Sequence, residues 1–209
     1  MPFPKTWTEE LVLEWLPLKG YLTFSNVRLK SGSRGGVKEA DIVGLRLHQK
    51  PSPEANTMIE ALEILHIEIG SLTGNFERSL NYIKSKFTSE RKEVIRRFAL
   101  GAVELESVLG RLRLGCSRLS TSEIEYKPIF IASYVAKKHV KRLKEELRSY
   151  SIEFLTLEEV LKKIIQDIDE WKENQVKERL RTTKQITLPE SLWLLNLIDY
   201  MRSRGFLTA

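Results

Sequence analysis

Cysteine and histidine are scarce in this sequence, which contains only Cys116 and three histidines in 209 residues. A single cysteine excludes a disulfide within the chain and suits a reducing compartment. Because these few residues are spread along the chain, a zinc site built from cysteine and histidine is not expected. The sequence also lacks GxGxxG and GxxxxGK[ST], which argues against a dinucleotide site and against a P-loop.

Long apolar runs are absent too, and none approaches the ~20 residues that a membrane-spanning helix requires. The opening residues "MPFPKTWTEEL" lack the basic-then-apolar arrangement of a secretory signal. We therefore expect a soluble, cytoplasmic protein without a membrane partner. Hydrophobic residues still make up 42% of the chain, which is enough to build a core.

Acidic residues are outnumbered by basic ones, 28 to 34, so the formal net charge is +6. An excess of positive charge favours a polyanionic partner such as nucleic acid. The alternative is a charge-rich surface on which lysine and arginine happen to be in excess. Since 30% of all residues are charged, composition alone does not choose between these two interpretations.

Hydrophobic periodicity, caps and turn residues predict the order α-β-β-β-α-β-α-β-α, followed by a terminal helix. The predicted helices cover 5–16, 75 to about 108 (as one helix or a pair), 137–150, about 158–180 and 190–206; the strands cover 21–29, 38–48, part of 59–72, 129–135 and 152–157; 109–128 is mostly loop. This order predicts a mixed α/β fold. We expect one domain over 1–181, while 182–209 form a linker and a helix that packs on the domain or on a partner.

Two of the predicted strands, "EADIVGL" and "ILHIEIG", carry the acids Asp41 and Glu68 in apolar surroundings. A buried carboxylate usually forms an ion pair, binds a metal or takes up a proton. If the two strands are neighbours, both acids point from one sheet face to a shared point, where Mg²⁺ would find its preferred oxygen ligands. The alternatives are acids that face solvent, or ion pairs with Arg28 or Arg46.

This order of elements, with Asp41 on the second strand and Glu68 on the third, resembles the PD-(D/E)XK nucleases. This restriction-endonuclease-like superfamily includes archaeal Holliday-junction resolvases and many restriction and repair nucleases. The resemblance covers roughly residues 7–165, and "IFIASYVAKKHVKRLKEELRSYSIEFLTLEEVL" is similar to the strand-helix-strand unit of many members. It implies a restriction-endonuclease-like α-β-β-β-α-β core with flanking helices and a helical C-terminus. It also implies hydrolysis of DNA phosphodiester bonds that depends on Mg²⁺ or Mn²⁺.

The same resemblance assigns roles to individual acids. Asp41 and Glu68 match the metal-binding acids of the family, and Glu10 or Glu14 matches the additional acid of the opening helix in resolvase-like members. His66, two residues before Glu68, would share its sheet face. It is either another metal ligand or a hydrogen-bonded structural histidine, and the second interpretation is favoured.

The chain departs from the family pattern at Gly70, where the family places the lysine that positions or polarises the attacking water. Some members carry this lysine on a neighbouring element instead. Lys84, on the helix that follows, is then the first candidate for the catalytic lysine, and Lys38 is the second. If neither fills the role, the resemblance implies a catalytically impaired nuclease-fold module that binds DNA or a protein partner.

Basic residues in the turn "KSGSRGG", at the start of the next strand and in "AKKHVKRLK" are candidates for phosphate contacts. They are Arg34, Lys38, Lys137, Lys138, Lys141 and Arg142. The alternative is an ordinary solvated helix face. The expected partner is duplex or branched DNA. The apolar terminal helix around Trp193 is also compatible with a homodimer.

Overall fold

The structure is a computed structural model that describes residues 6–31, 37–51, 58–110, 124–178 and 188–206. Arg34, most of the predicted 182–189 linker and Cys116 lie outside these ranges. None of the helices within them is both long and apolar enough to cross a membrane.

Within the residues that the structure describes, helices pack on both faces of a mixed five-stranded sheet, which confirms the predicted mixed α/β class. In chain order the elements are α1 (Trp7–Leu18), β1 (Leu22–Ser31), β2 (Val37–Pro51), β3 (Met58–Leu72), α2 (Phe76–Gly110), β4 (Ile124–Val135), α3 (Lys137–Arg148), β5 (Glu153–Thr156), α4 (Leu157–Glu178) and α5 (Trp193–Ser203). The strands lie in the order β1-β2-β3-β4-β5. The β1–β2 and β2–β3 pairs are antiparallel, whereas the β3–β4 and β4–β5 pairs are parallel.

The predicted loop over 109–128 is wrong at its end, because β4 already begins at Ile124. Ile124 and Tyr126 pack against a core cluster, while Glu125 and Lys127 alternate with them and form ion pairs. This is the period-two pattern of a strand. Pro128, which precedes the strand predicted at 129–135, lies inside β4, opposite His66 of β3.

Side chains of β3 alternate between two cores. Leu65 and Ile67 pack with α1, α4 and α5, whereas Leu62 and Ile64 pack with α2. Because side chains alternate along a strand, the even-numbered residues of β3 face α2. His66 and Glu68 therefore lie on the face that α2 covers.

The C-terminal helix α5 packs against α1 and α4, and Leu195 and Ile198 contribute to their shared core. Two polar contacts fix the neighbouring helices: Trp15 Nε1 donates to Asp167 Oδ2 over 2.6 Å, and Lys172 Nζ lies 2.6 Å from Asp199 Oδ2. These contacts join α1, α4 and α5 into one helical layer behind the sheet.

Candidate active site

Asp41 and Glu68 are brought together by the antiparallel register of β2 and β3, in which Ile42 lies opposite Ile67. The backbone N–H of Asp41 donates to Glu68 Oε1 over 3.3 Å, and the N–H of Ile69 donates to Asp41 Oδ2 over 2.9 Å. Each acid is thus held by the backbone of the other strand. The expectation that these two strands are neighbours is confirmed.

Arg28 and Arg46, the alternative ion-pair partners considered for the two acids, contact other residues. Arg28 lies 3.8 Å from Glu39, and Arg46 lies 3.3 Å from Glu63. Asp41 is half-buried, and the side chain of Glu68 is 2% exposed. Neither solvent nor an arginine therefore accounts for the acid pair.

The charges of the two acids act on each other. Burial, and then the negative charge of Glu68, raise the pKa of Asp41 to about 6. Burial alone would also raise the pKa of Glu68, but its contacts with His66 and Lys86 outweigh burial and lower that pKa. Glu68 is therefore ionised at neutral pH, while Asp41 takes up a proton more readily than an ordinary aspartate.

A lysine does reach this acid pair, but it is Lys86, whose Nζ lies 2.7 Å from Glu68 Oε2. Lys84 instead lies 3.9 Å from the ring centroid of Tyr150, so the prediction of Lys84 is corrected. Two positions on a helix are rotated by about 200°, which places the two lysines on different sides of α2. Lys86 and Glu90 lie one helical turn apart beside buried Phe87. This spacing was the overlooked sequence signal for the site.

The acids predicted on α1 serve a different contact. Glu10 Oε1 accepts from Trp193 Nε1 over 3.0 Å, and Glu14 accepts from the backbone N–H groups that begin α5, at Leu194 and Leu195. Both therefore fasten α5 to α1. These contacts correct the assignment of Glu10 or Glu14 to the site.

Glu9 is the acid of α1 that affects Asp41, because its negative charge contributes to the raised pKa of Asp41. It is buried, 4% exposed, and its backbone N–H donates to the Thr6 side chain at the helix cap. The Thr6–Glu9 capping pattern explained this glutamate locally. For that reason sequence reasoning overlooked it as a site residue.

His66 and Glu90 are buried next to Glu68. His66 Nε2 lies 3.1 Å from Glu68 Oε1 and 3.6 Å from Glu90 Oε2, and its Nδ1 lies 2.7 Å from the Tyr126 hydroxyl. Burial, and then the charge of Glu68, raise the pKa of Glu90 to about 7. Sequence reasoning missed Glu90, because it falls within the core-facing stripe of α2.

The residues predicted to contact phosphate differ in whether a carboxylate of the protein pairs with them. Lys137, Lys138 and Lys141 are exposed on α3, and no carboxylate in the described ranges forms an ion pair with them. Arg142 instead lies 3.8 Å from the Phe76 ring centroid and 3.5 Å from Glu77.

Lys38 is exposed. It lies close enough to the acids for its positive charge to lower the pKa of Glu90. In the part of the chain that the structure describes, the lysine that pairs with Glu68 is Lys86 and not Lys38. The second candidate for the catalytic lysine is therefore not the residue that the structure places beside the acid pair. Arg34 lies outside the described residues.

Comparison of the chain with family models, with curated proteins and with solved structures finds no match. The function of the site must therefore be inferred from the chemistry of its side chains. Two carboxylates and an ammonium group, supplied by β2, β3 and α2, suit a hard divalent cation and a developing negative charge.

Proposed function

We propose that this protein is a metal-dependent nuclease with a restriction-endonuclease-like core, which hydrolyses DNA phosphodiester bonds. The observation that carries the proposal is the cluster of Asp41, Glu68 and Lys86, in which Lys86 pairs with Glu68 and the charges of both residues act on the pKa of Asp41. The order of elements, with its antiparallel β1–β3 unit, α2 crossover and parallel β4, supports it as well.

The acid pair fits Mg²⁺ or Mn²⁺. Two carboxylates from adjacent strands repel each other, and this repulsion adds to burial, the larger cause, in raising the pKa of Asp41. A divalent cation held by Asp41 and Glu68 would remove it, and such ions are typically held by one or two carboxylates together with water and substrate phosphate. When bound, the ion would supply an activated water and stabilise charge on the phosphodiester.

Lys86 takes the place of the family's strand lysine in this proposal. Burial lowers the pKa of Lys86, but the negative charge of Glu68 outweighs it and raises that pKa, so the amine stays protonated. A protonated lysine does not accept a proton from water. Its role is to hold Glu68 through Oε2 and to stabilise negative charge on the phosphate.

Gly70 is consistent with this replacement, because the strand position has little room. A Cβ at residue 70 would lie 3.3 Å from Cζ of Phe130, a buried ring, and 3.9 Å from Tyr82. A lysine there would require the Phe130 ring to move by a few tenths of an ångström. An amine delivered from α2 avoids that displacement.

Lys137, Lys138 and Lys141 of α3 are proposed to contact the DNA backbone. Exposed lysines without acidic partners bind phosphates without reading sequence, and they release counterions when they do so. Duplex or branched DNA is the expected substrate class.

The test is cleavage of duplex and four-way-junction DNA with Mg²⁺, with Mn²⁺ or with EDTA. We expect metal-dependent cleavage that Asp41→Asn and Lys86→Met each reduce by roughly 10²-fold or more. Lys84→Met is the matched control on the same helix, and it should leave the rate unchanged. Cleavage that survives Asp41→Asn, or equal losses for the two lysine variants, would contradict the proposal.

A second candidate is a catalytically impaired nuclease-fold module that binds DNA or a protein. It is favoured by the Glu68 side chain, which is 2% exposed and already paired with Lys86. Metal-independent DNA binding without cleavage, unchanged in Asp41→Asn, would support this candidate over the nuclease.

A further inference from the structure

We infer that His66, Glu68 and Glu90 form a separate, buried binding position for a divalent transition-metal ion, with a structural role. This inference goes beyond the proposed nuclease function and does not depend on it. Only Glu68 is common to both positions.

The three side chains already lie at ligand spacing. One ligand atom from each lies within 4.8 Å of those of the other two, although His66 and Glu68 come from β3 and Glu90 from α2. Their residues are at most 3% exposed. An ion at this point would therefore join α2 to the sheet out of contact with bulk water.

Glu90 provides independent support for a missing ligand. Within the described ranges its buried Oε2 has no hydrogen-bond partner, and it lies 3.6 Å from His66 Nε2. Buried polar atoms almost always have a partner, and a buried carboxylate without one is costly. This oxygen points at the imidazole nitrogen that would be its fellow ligand.

Tyr126 can fix the histidine for metal binding. Its hydroxyl lies 2.7 Å from His66 Nδ1, on the ring side away from Glu68 and Glu90. With the proton on Nδ1, the imidazole donates to the Tyr126 oxygen and the lone pair of Nε2 faces the two carboxylates. An outer partner of this kind is the usual companion of a metal-binding histidine.

The donor set selects the class of ion. One imidazole nitrogen and two carboxylates suit Mn²⁺, Co²⁺ or Zn²⁺, whereas Mg²⁺ prefers oxygen ligands and retains several waters. The Phe87 and His66 rings pack in a T-shaped arrangement, with centroids 5.0 Å apart, so little room remains for a hydration shell. The buried position also excludes DNA, and for this reason its role is structural.

Thermal unfolding of the Asp41→Asn variant, stripped with EDTA and then titrated with Mn²⁺ or Mg²⁺, tests the inference. We expect Mn²⁺ at 100 times its dissociation constant to raise Tm by roughly 5–10 °C, and Mg²⁺ to leave it unchanged. Adding Glu90→Gln or His66→Gln should abolish the rise. The matched controls are Glu93→Gln, on the same helix with a carboxylate paired to Arg96, and His139→Gln on α3; both should retain it.

Pulsed electron paramagnetic resonance of bound Mn²⁺ gives a second measurement that does not require a stable variant. The wild-type protein should show coupling to one imidazole nitrogen. Tyr126→Phe should retain this coupling while it weakens Mn²⁺ binding by roughly 10–100-fold.

The outcomes separate this inference from the nuclease proposal. Metal-dependent cleavage without nitrogen coupling, or without a Mn²⁺-induced rise in Tm, would overturn the buried position and leave the nuclease proposal intact. Nitrogen coupling in a protein that never cleaves DNA would support the buried position and contradict the nuclease proposal.

Discussion

Two buried glutamates of β3, Glu63 and Glu68, are only five residues apart in sequence but have opposite surroundings. Because side chains alternate, they project from opposite faces of the sheet. Glu63 accepts hydrogen bonds from Tyr21, Arg46 and Lys127, the last two over 3.3 and 2.8 Å. Its own neighbours therefore satisfy its charge.

Glu68 pairs with Lys86 but shares its surroundings with Asp41 and Glu90. The pKa of Asp41 is raised to about 6 and that of Glu90 to about 7, whereas contacts with Lys127 and Tyr21 outweigh burial and lower the pKa of Glu63. A group of acidic side chains whose negative charge the protein does not neutralise itself is typical of a functional site. The cluster around Glu68 fits that description, and Glu63 does not.

Neutralising each glutamate in turn should have the largest effect and should separate the roles of Glu63 and Glu68. Glu68→Gln should reduce metal-dependent cleavage by roughly 10²-fold or more, because it removes a metal ligand and the partner of Lys86. Glu63→Gln should retain the cleavage rate but reduce the free energy of unfolding by about 1–3 kcal/mol. Cleavage assays and urea unfolding of both variants measure these effects, and loss of cleavage in Glu63→Gln alone would reverse the assignment.

The pH dependence of stability should differ in sign between the clusters. Glu90 has a folded pKa of about 7, above its ordinary value, so the folded state binds the extra proton and loses stability as pH rises from about 4.5 to about 7. In EDTA, Glu90→Gln should therefore stabilise the protein at pH 8, by up to roughly 3 kcal/mol, and have little effect at pH 4.

Glu63 provides the opposite case for the same measurement. Its pKa is lowered on folding, so its contribution to stability is present at neutral pH and disappears as the solution is acidified below about 4.5. Glu63→Gln should destabilise the protein at pH 8. If both variants shift the unfolding free energy in the same direction at pH 8, the contrast between the clusters fails.

Gly70→Lys tests whether Lys86 already fills the place of the missing strand lysine. The new side chain would press on Phe130, so we expect a loss of about 1–3 kcal/mol in the free energy of unfolding and no gain in cleavage. Gly74→Ala is the control for adding a side chain near the end of β3, since its neighbour is the flexible chain of Arg78. Faster cleavage in Gly70→Lys would show that Lys86 does not serve this role.

The smallest effect is expected on the surface of α3. Changing Lys137, Lys138 and Lys141 together to glutamine should weaken DNA binding and reduce the slope of log affinity against log salt by up to about 3. The matched triple variant Lys84, Lys92 and Lys162 to glutamine changes the net charge equally and should have a smaller effect. Equal slopes for the two variants would remove α3 from the interface.

Local patterns predicted the strands and helices well, because the alternation of β2 and β3 and the stripe of α2 are set by which residues can be buried. They also placed Asp41 and Glu68 on adjacent strands, whose register depends on the hydrophobic alternation. They failed where a side chain had two explanations. Glu9 lies at a helix cap and Glu90 on the core-facing side of α2, and neither was singled out as a site residue.

The choice between Lys84 and Lys86 illustrates the same limit. Both flank the apolar stripe of α2, and only the packing of this helix against β3 on one side and Tyr150 on the other decides which reaches Glu68. Such rotational placement depends on tertiary packing rather than on periodicity. Glu10 and Glu14 were misassigned for a related reason, because their partners on α5 lie about 180 residues further along the chain.

Anomalous diffraction from crystals soaked in Mn²⁺ tests the central claim, that the acids around Glu68 and not those around Glu63 bind metal. We predict a peak between the carboxylates of Asp41 and Glu68 and a second peak among His66, Glu68 and Glu90. The group of His48, Glu63 and Glu125, whose ligand atoms are also within 4.8 Å of one another, should show none. A peak at Glu63, or the absence of any peak at Glu68, would contradict the account.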